Sequence, residues 1–112
     1  MIFQTKGIIN MSVFKANKSN FESLKQSERP VLLDFYADWC GPCRMVSPVV
    51  DEIAKEHPEY LIAKVNVDSE PELAKQFGVY SIPTLVVLRD GSVSARSVGA
   101  KNKDGILSLL RA

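Results

Sequence analysis

Cys40 and Cys43 are the only cysteines of the chain and stand close together in Trp39-Cys40-Gly41-Pro42-Cys43. Two thiols at this spacing can cycle between dithiol and disulfide, or can supply half of a metal site. Structural zinc takes four Cys or His ligands, and His57 is the only other residue of those types. The metal reading is therefore set aside, with metal ligands expected to be none. The location of the pair favours redox chemistry. It falls between a run that reads as a buried strand and one that reads as a long helix. A thiol at the first turn of a helix faces unpaired backbone N–H groups and the positive end of the helix dipole. Both favour the thiolate, which is the form that attacks disulfides.

The elements that must position this pair are legible from pattern. Val31 to Tyr36 is apolar on both faces except at Asp34, as in an interior strand covered on both sides. From Gly41 to Glu56 the apolar residues Met45, Val46, Val49, Val50, Ile53 and Ala54 follow a helical period. Pro42 suits the first turn of that helix, whereas Pro48 should kink it. His57, just before Pro58, is expected to cap its last carbonyls in solvent. Leu61 to Val67 reads as a second buried strand, so strand, helix and strand make a βαβ unit with parallel strands and a right-handed crossover. Ser12 to Ala16 reads as a short strand. Ser19 with Glu22, and Ser69 with Glu72, have capping-box form and should open two short helices. Gly78 is placed to end the second of these in a left-handed cap. Thr84 to Arg89 and Ser92 to Ser97 flank Asp90-Gly91, a hairpin signal. Asn102 could cap a last helix carrying Ile106, Leu107, Leu109 and Leu110, with Gly105 a weak point inside it. The expected architecture is α/β: a single domain whose central mixed sheet is flanked by helices on both faces.

Bulk properties set the function classes aside one by one. The 112 residues fit one domain, and 46% hydrophobic with 24% charged content is that of an ordinary globular protein. A net charge of +1 gives no reason to expect nucleic acid or a membrane surface as partner. Two cysteines cannot staple a disulfide scaffold. Residues 1–10 show no secretory signal pattern and read as a disordered extension, with the domain over residues 11–112 and Met11 a second possible start. A reducing, cytoplasmic setting is the default expectation.

With the motif goes a wider set of residues. Asp34-Phe35-Tyr36-Ala37 precedes the cysteine pair, Pro48 follows it, Lys64 lies on the next strand, and Ile82-Pro83-Thr84 and Val98-Gly99-Ala100 come later. In this order and spacing, from Met11 to the C-terminus, the chain resembles the thioredoxin family. Tyr36 stands where that family often has Trp, and Ser81 where many members have Gly. The resemblance implies the thioredoxin fold and a protein-disulfide reductase acting as a monomer on disulfide-containing proteins. It implies no bound cofactor; electrons come from NADPH through a partner flavoprotein, thioredoxin reductase. The chain has no G-x-G-x-x-G of its own for a dinucleotide.

Carried onto these residues, the family's chemistry makes Cys40 the nucleophile and Cys43 the resolving thiol of one redox disulfide. A lowered Cys40 pKa, implied by the resemblance, would do little alone. A drop of ~1.5 from ~8.5 raises the thiolate fraction ~16-fold at neutral pH. The lower basicity costs ~5-fold in nucleophilicity, leaving ~3-fold. Positioning must supply the rest. Asp34, desolvated in an apolar strand, is the candidate proton acceptor for Cys43, and Lys64 could pair with it and tune it. Pro83 is expected to be cis, leaving the Ile82 backbone free to pair with an extended substrate. Trp39, Gly41, Pro42, Ile82, Pro83, Val98, Gly99 and Ala100 make up the expected substrate surface. Oxidising relatives usually carry His where this chain has Pro42, so Pro42 points to a reductant. Two other readings remain: a binding module that does not use its thiols, and an oxidase or isomerase of an oxidising compartment.

Overall fold

The computed structural model describes residues 13–112; the expected extension over 1–10, the alternative start at Met11 and the first residue of the expected strand at Ser12 lie outside them. The elements are β1 (Val13–Lys15), α1 (Phe21–Lys25), β2 (Val31–Tyr36), α2 (Gly41–Glu56), β3 (Leu61–Asn66), α3 (Pro71–Gln76), β4 (Thr84–Arg89), β5 (Ser92–Val98) and α4 (Lys103–Arg111). One sheet runs β1-β3-β2-β4-β5, with β1, β3 and β2 parallel and β4 and β5 antiparallel to their neighbours. The expected mixed sheet and βαβ unit are both present.

β2 is central, and side-chain alternation splits its apolar residues between two cores. Leu33 and Phe35 pack with Ala63, Val65, Val86 and Leu88 under Phe21 and Leu24 of α1 and Leu73 of α3. Leu32 packs with Ile62, Leu85 and Val87 against Val46, Val50 and Ile53 of α2 and Ile106 and Leu110 of α4. Helices therefore cover both faces, and Asp34 falls on the face that α2 covers. Pro48 lies within α2 without ending it.

Neither capping box forms. α1 starts at Asn20 with no side-chain cap. Asn17 and Asn20 instead exchange side chain–backbone bonds of 2.8 and 2.9 Å, which fix the turn before Ser19 can act. α3 has Glu70 as its N-cap, again with no side-chain bond, and opens on Pro71. Ser69 is held elsewhere, its N–H donating to the Asn66 side chain. A proline with preset φ at the first helical position moved the start past the serine. His57 is the C-cap of α2, but through its backbone: its N–H donates to the Ile53 carbonyl at 2.8 Å, while the ring Nδ1 lies 3.0 Å from Glu59 Oε2.

Elsewhere the local signals hold. Asp90 (φ 52°) and Gly91 (φ 81°) make the hairpin turn in the left-handed conformations it needs. Asn102 caps α4 by accepting from the Gly105 N–H at 2.8 Å. A Cβ on Gly105 would stand 3.2 Å from that cap oxygen, so the glycine leaves room for the cap. Gly78 (φ 64°) closes α3: its N–H donates to Lys75 O, and Val79 N–H donates to Ala74 O. That is a Schellman closure. A Cβ there would touch only Arg96 Nη2 at 3.9 Å, so crowding is not the constraint. Gly78→Ala should cost about 1 kcal/mol through backbone conformation alone. Urea denaturation of the variant tests this; an unchanged midpoint would refute it.

Candidate active site

The register of the sheet brings four loops to one edge. Phe35 pairs with Thr84, Thr84 with Val98, and Tyr36 with Asn66. The segments that follow β2, β3 and β5 and the one that precedes β4 therefore emerge side by side. Trp39 to Cys43, Asp68, Ile82-Pro83 and Val98 to Ala100 lie on those segments.

Cys40 is the N-cap of α2, with extended backbone (φ −89°, ψ 113°), and its sulfur accepts the Cys43 backbone N–H at 3.2 Å. An N-cap side chain accepts from the second or third helical N–H. The second helical residue here is Pro42, which has none, so Cys43 supplies the single backbone donor. The two cysteines form a disulfide, with Cα atoms 5.3 Å apart. In this oxidised state Cys40 is 4% exposed and Cys43 3%, so exposure does not separate them. What separates them is position. Cys40 Sγ lies 3.9 Å from the Ile82 carbonyl oxygen at the loop edge, while Cys43 is inside the helix.

The Ile82–Pro83 bond is cis. Pro83 O accepts from the Gly99 N–H at 2.8 Å, tying the two loops together. Gly99 has φ 98° and nothing near a built Cβ, so conformation and not crowding calls for glycine there. Gly41 has equally open space beside it. Trp39, 67% exposed, is oriented by an indole N–H bond to Asp68 Oδ2 at 2.9 Å. Val98, 61% exposed, and partly buried Ile82 join it around the disulfide.

Asp34 is 1% exposed, and no protein group among the described residues hydrogen-bonds either carboxylate oxygen. Burial pushes its pKa up to about 6; the Lys64 charge opposes the rise and the Asp51 charge adds to it. The direct Asp34–Lys64 pair expected from sequence is not made. Lys64 Nζ instead donates to Ser47 Oγ at 2.5 Å and meets Asp51 Oδ1 at 2.9 Å. Ser47 and Asp51 were missed in the sequence, yet Cys43, Ser47 and Asp51 recur at one helical turn, the period that could have flagged them. Asp68 carried no comparable signal. Among the described residues no cluster of three or more His, Cys, Asp or Glu could hold a metal.

A family model for thioredoxin matches residues 12–112. The chain belongs to the thioredoxin family. It is 50% identical over 80 residues to a thioredoxin of Chlamydia trachomatis, covering 71% of this chain and 78% of that one. It is 49% identical over 90 residues to a bifunctional thioredoxin reductase/thioredoxin of Mycobacterium leprae, covering 80% of this chain and 20% of that protein. Among solved structures, a mutant thioredoxin of Halobacterium salinarum superposes with a TM-score of 0.82 at 36% identity, over 88% of each chain. Like other thioredoxins, this chain is a protein-disulfide oxidoreductase with no bound cofactor, drawing on NADPH through thioredoxin reductase.

The raised Asp34 pKa has a consequence for stability. The folded state holds the proton to about 6, above the ordinary carboxyl value of 3.8. Its contribution is complete below that unfolded value and is lost as pH rises through about 6. Ionised Asp34 therefore costs about 3 kcal/mol above that range. The stability of Asp34→Asn relative to wild type should rise by about that amount between about pH 3.5 and about pH 8. Denaturant titrations at the two pH values read it directly, and a constant difference would refute it.

Proposed function

We propose that this thioredoxin reduces disulfides in other proteins with Cys40 as nucleophile, Cys43 as resolving thiol and Asp34 as proton acceptor. The observation that carries the reading is the Cys40 sulfur at the cap of α2, accepting the Cys43 N–H. In the reduced protein that donor and the helix dipole stabilise a Cys40 thiolate. The thiolate attacks one sulfur of a substrate disulfide, and a first substrate thiolate leaves. Cys43 then gives its proton to Asp34 and attacks Cys40 Sγ. The Cys40–Cys43 bond forms, the mixed disulfide breaks, and the second substrate thiolate departs. The substrate has gained two electrons and the protein has lost two, which thioredoxin reductase returns from NADPH.

Direction follows from Pro42. A proline in place of a second N–H leaves the thiolate with one backbone donor, so the dithiol is held less tightly and is the better reductant. Trp39, Ile82 and Val98 form the apolar surface for the substrate segment, with Gly41, Pro42, Pro83, Gly99 and Ala100 keeping backbone accessible between them. The Ile82 carbonyl beside Cys40 supports pairing with an extended chain. The same reading has the protein act as a monomer in the cytoplasm, where dithiols are kept reduced. No helix among the described residues is long and apolar enough to cross a membrane.

Insulin reduction, followed by turbidity with thioredoxin reductase and NADPH, tests chemistry and partner together. Wild type should precipitate insulin, and Cys40→Ser should abolish turnover. Absence of turnover in the wild type would leave the thiols unused and point to a binding module, whereas turnover retained in Cys40→Ser would remove Cys40 as the nucleophile. Stopped-flow mixing isolates Asp34. Asp34→Asn should slow release of the mixed disulfide by up to about 100-fold, the low end of acid–base contributions, and its formation far less. Equal slowing of both steps would remove Asp34 from the proton transfer.

A further inference from the structure

Asp34 and Lys64 are register partners on adjacent parallel strands. Such residues share a face, and their strands lie ~4.8 Å apart, so a lysine ammonium is well within reach of the carboxylate. The pair nevertheless does not form. Lys64, with its side chain only 16% exposed, turns to α2, where Ser47 Oγ and Asp51 Oδ1 take its ammonium. Asp34 keeps two buried oxygens without a partner. An unpaired buried carboxylate beside an available cation calls for something that holds the cation elsewhere, and Ser47 and Asp51 do so.

We propose that Ser47 and Asp51 are positioning residues for Asp34: by clamping Lys64 to α2 they leave the carboxyl unpartnered and set the pH range in which it takes the Cys43 proton. The second half of this rests on Asp34 being the proton acceptor. The groups around Asp34 are few. Lys64 comes from β3, with Lys15 its register partner on β1 one strand further out. α2 brings Asp51, Ser47 and, one turn before Ser47, Cys43. Tyr36 follows on the same strand, while β4 presents Leu85 and α4 presents apolar Ile106 and Leu110. Lys64 is thus the nearest cation, and Asp51 is the carboxylate that competes for it. Asp51 is half-exposed, so its ion pair costs less desolvation than one with Asp34 would. With the clamp released, Lys64 can swing to Asp34 and favour its ionised form.

The test is the titration of the Asp34 carboxyl carbon by ¹³C NMR in the full chain. Asp51→Asn should lower its midpoint by about one pH unit, and Ser47→Ala should lower it by less. In a Lys64→Met background the Asp51→Asn shift should be clearly smaller, because the residue acts through Lys64. An unchanged or raised midpoint in Asp51→Asn overturns the proposal. So does a shift equally large with and without Lys64, which would reduce Asp51 to a distant charge. Stopped-flow release of the mixed disulfide separates this from the catalytic reading. Its acid limb should move with the midpoint. A midpoint that moves under a stationary limb upholds the clamp and overturns the role of Asp34 instead.

Discussion

The backbone N–H that points at the Cys40 sulfur exists because α2 begins at Gly41, and that starting point constrains the rest of the site. A helix leaves its first N–H groups without carbonyl partners, so whatever residue sits at the cap inherits them. Here it is a cysteine. Its disulfide partner, Cys43, is the residue whose N–H it accepts. Moving the helix start by a single residue would pass the donor to another side chain and turn Cys43 off the line to Cys40. The long apolar face of α2 guards against such a slip. Val46, Val50 and Ile53 are all fully buried against the sheet, so rotating the helix would expose them. Packing far down the helix thereby holds the chemistry at its first turn.

The same face of the sheet carries the energetic conflict in the molecule. An ionised Asp34 costs about 3 kcal/mol at neutral pH by the size of its shift, a large share of the stability of a small domain. Its strand can bear that. Leu32, Leu33 and Phe35 are all at 0% exposure, and each contributes roughly 1.5–3 kcal/mol on burial. A direct bond to Lys64 would remove the cost, but it would also pull the carboxylate toward an ordinary pKa and make it a weaker base. With Lys64 held by α2, the charge of the lysine is felt at a distance while its hydrogen bonds go to Ser47 and Asp51. The carboxyl stays buried, basic and unpartnered.

Where the sequence was legible, a residue's own backbone or its periodicity decided the outcome. Asp90-Gly91, Gly78 and Asn102 are read from local conformational preference, and each does locally what that preference asks. The βαβ unit and the two-sided burial of β2 follow from periods of apolar residues, which few alternatives can satisfy. The two capping boxes failed because capping is a competition. Asn17, Asn20 and Asn66 offered closer acceptors, and Pro71 set its own helix start. The side-chain partners of Lys64 and His57 were not legible for a related reason: long or rotatable side chains choose among several partners that only the folded chain brings near. Asp51, Ser47 and Glu59 were the partners chosen. Identifying the cysteine pair needed no such choice, since it is fixed by adjacency.

The chain differs from many thioredoxins at Tyr36 and Ser81, and the composition of the site explains why such changes can be borne. Much of it is backbone: the Cys43 N–H on Cys40, the Ile82 carbonyl beside the same sulfur, and the Gly99 N–H on Pro83 O. Side chains can vary without moving those atoms, so long as the register between β2, β4 and β5 holds. The exposed side chains are a separate layer. Trp39, 67% exposed, and Val98, 61% exposed at the end of β5, present apolar area at that edge of the sheet. The backbone therefore holds the disulfide and the loops beside it, while side-chain variation is confined to the exposed positions at that edge of the sheet.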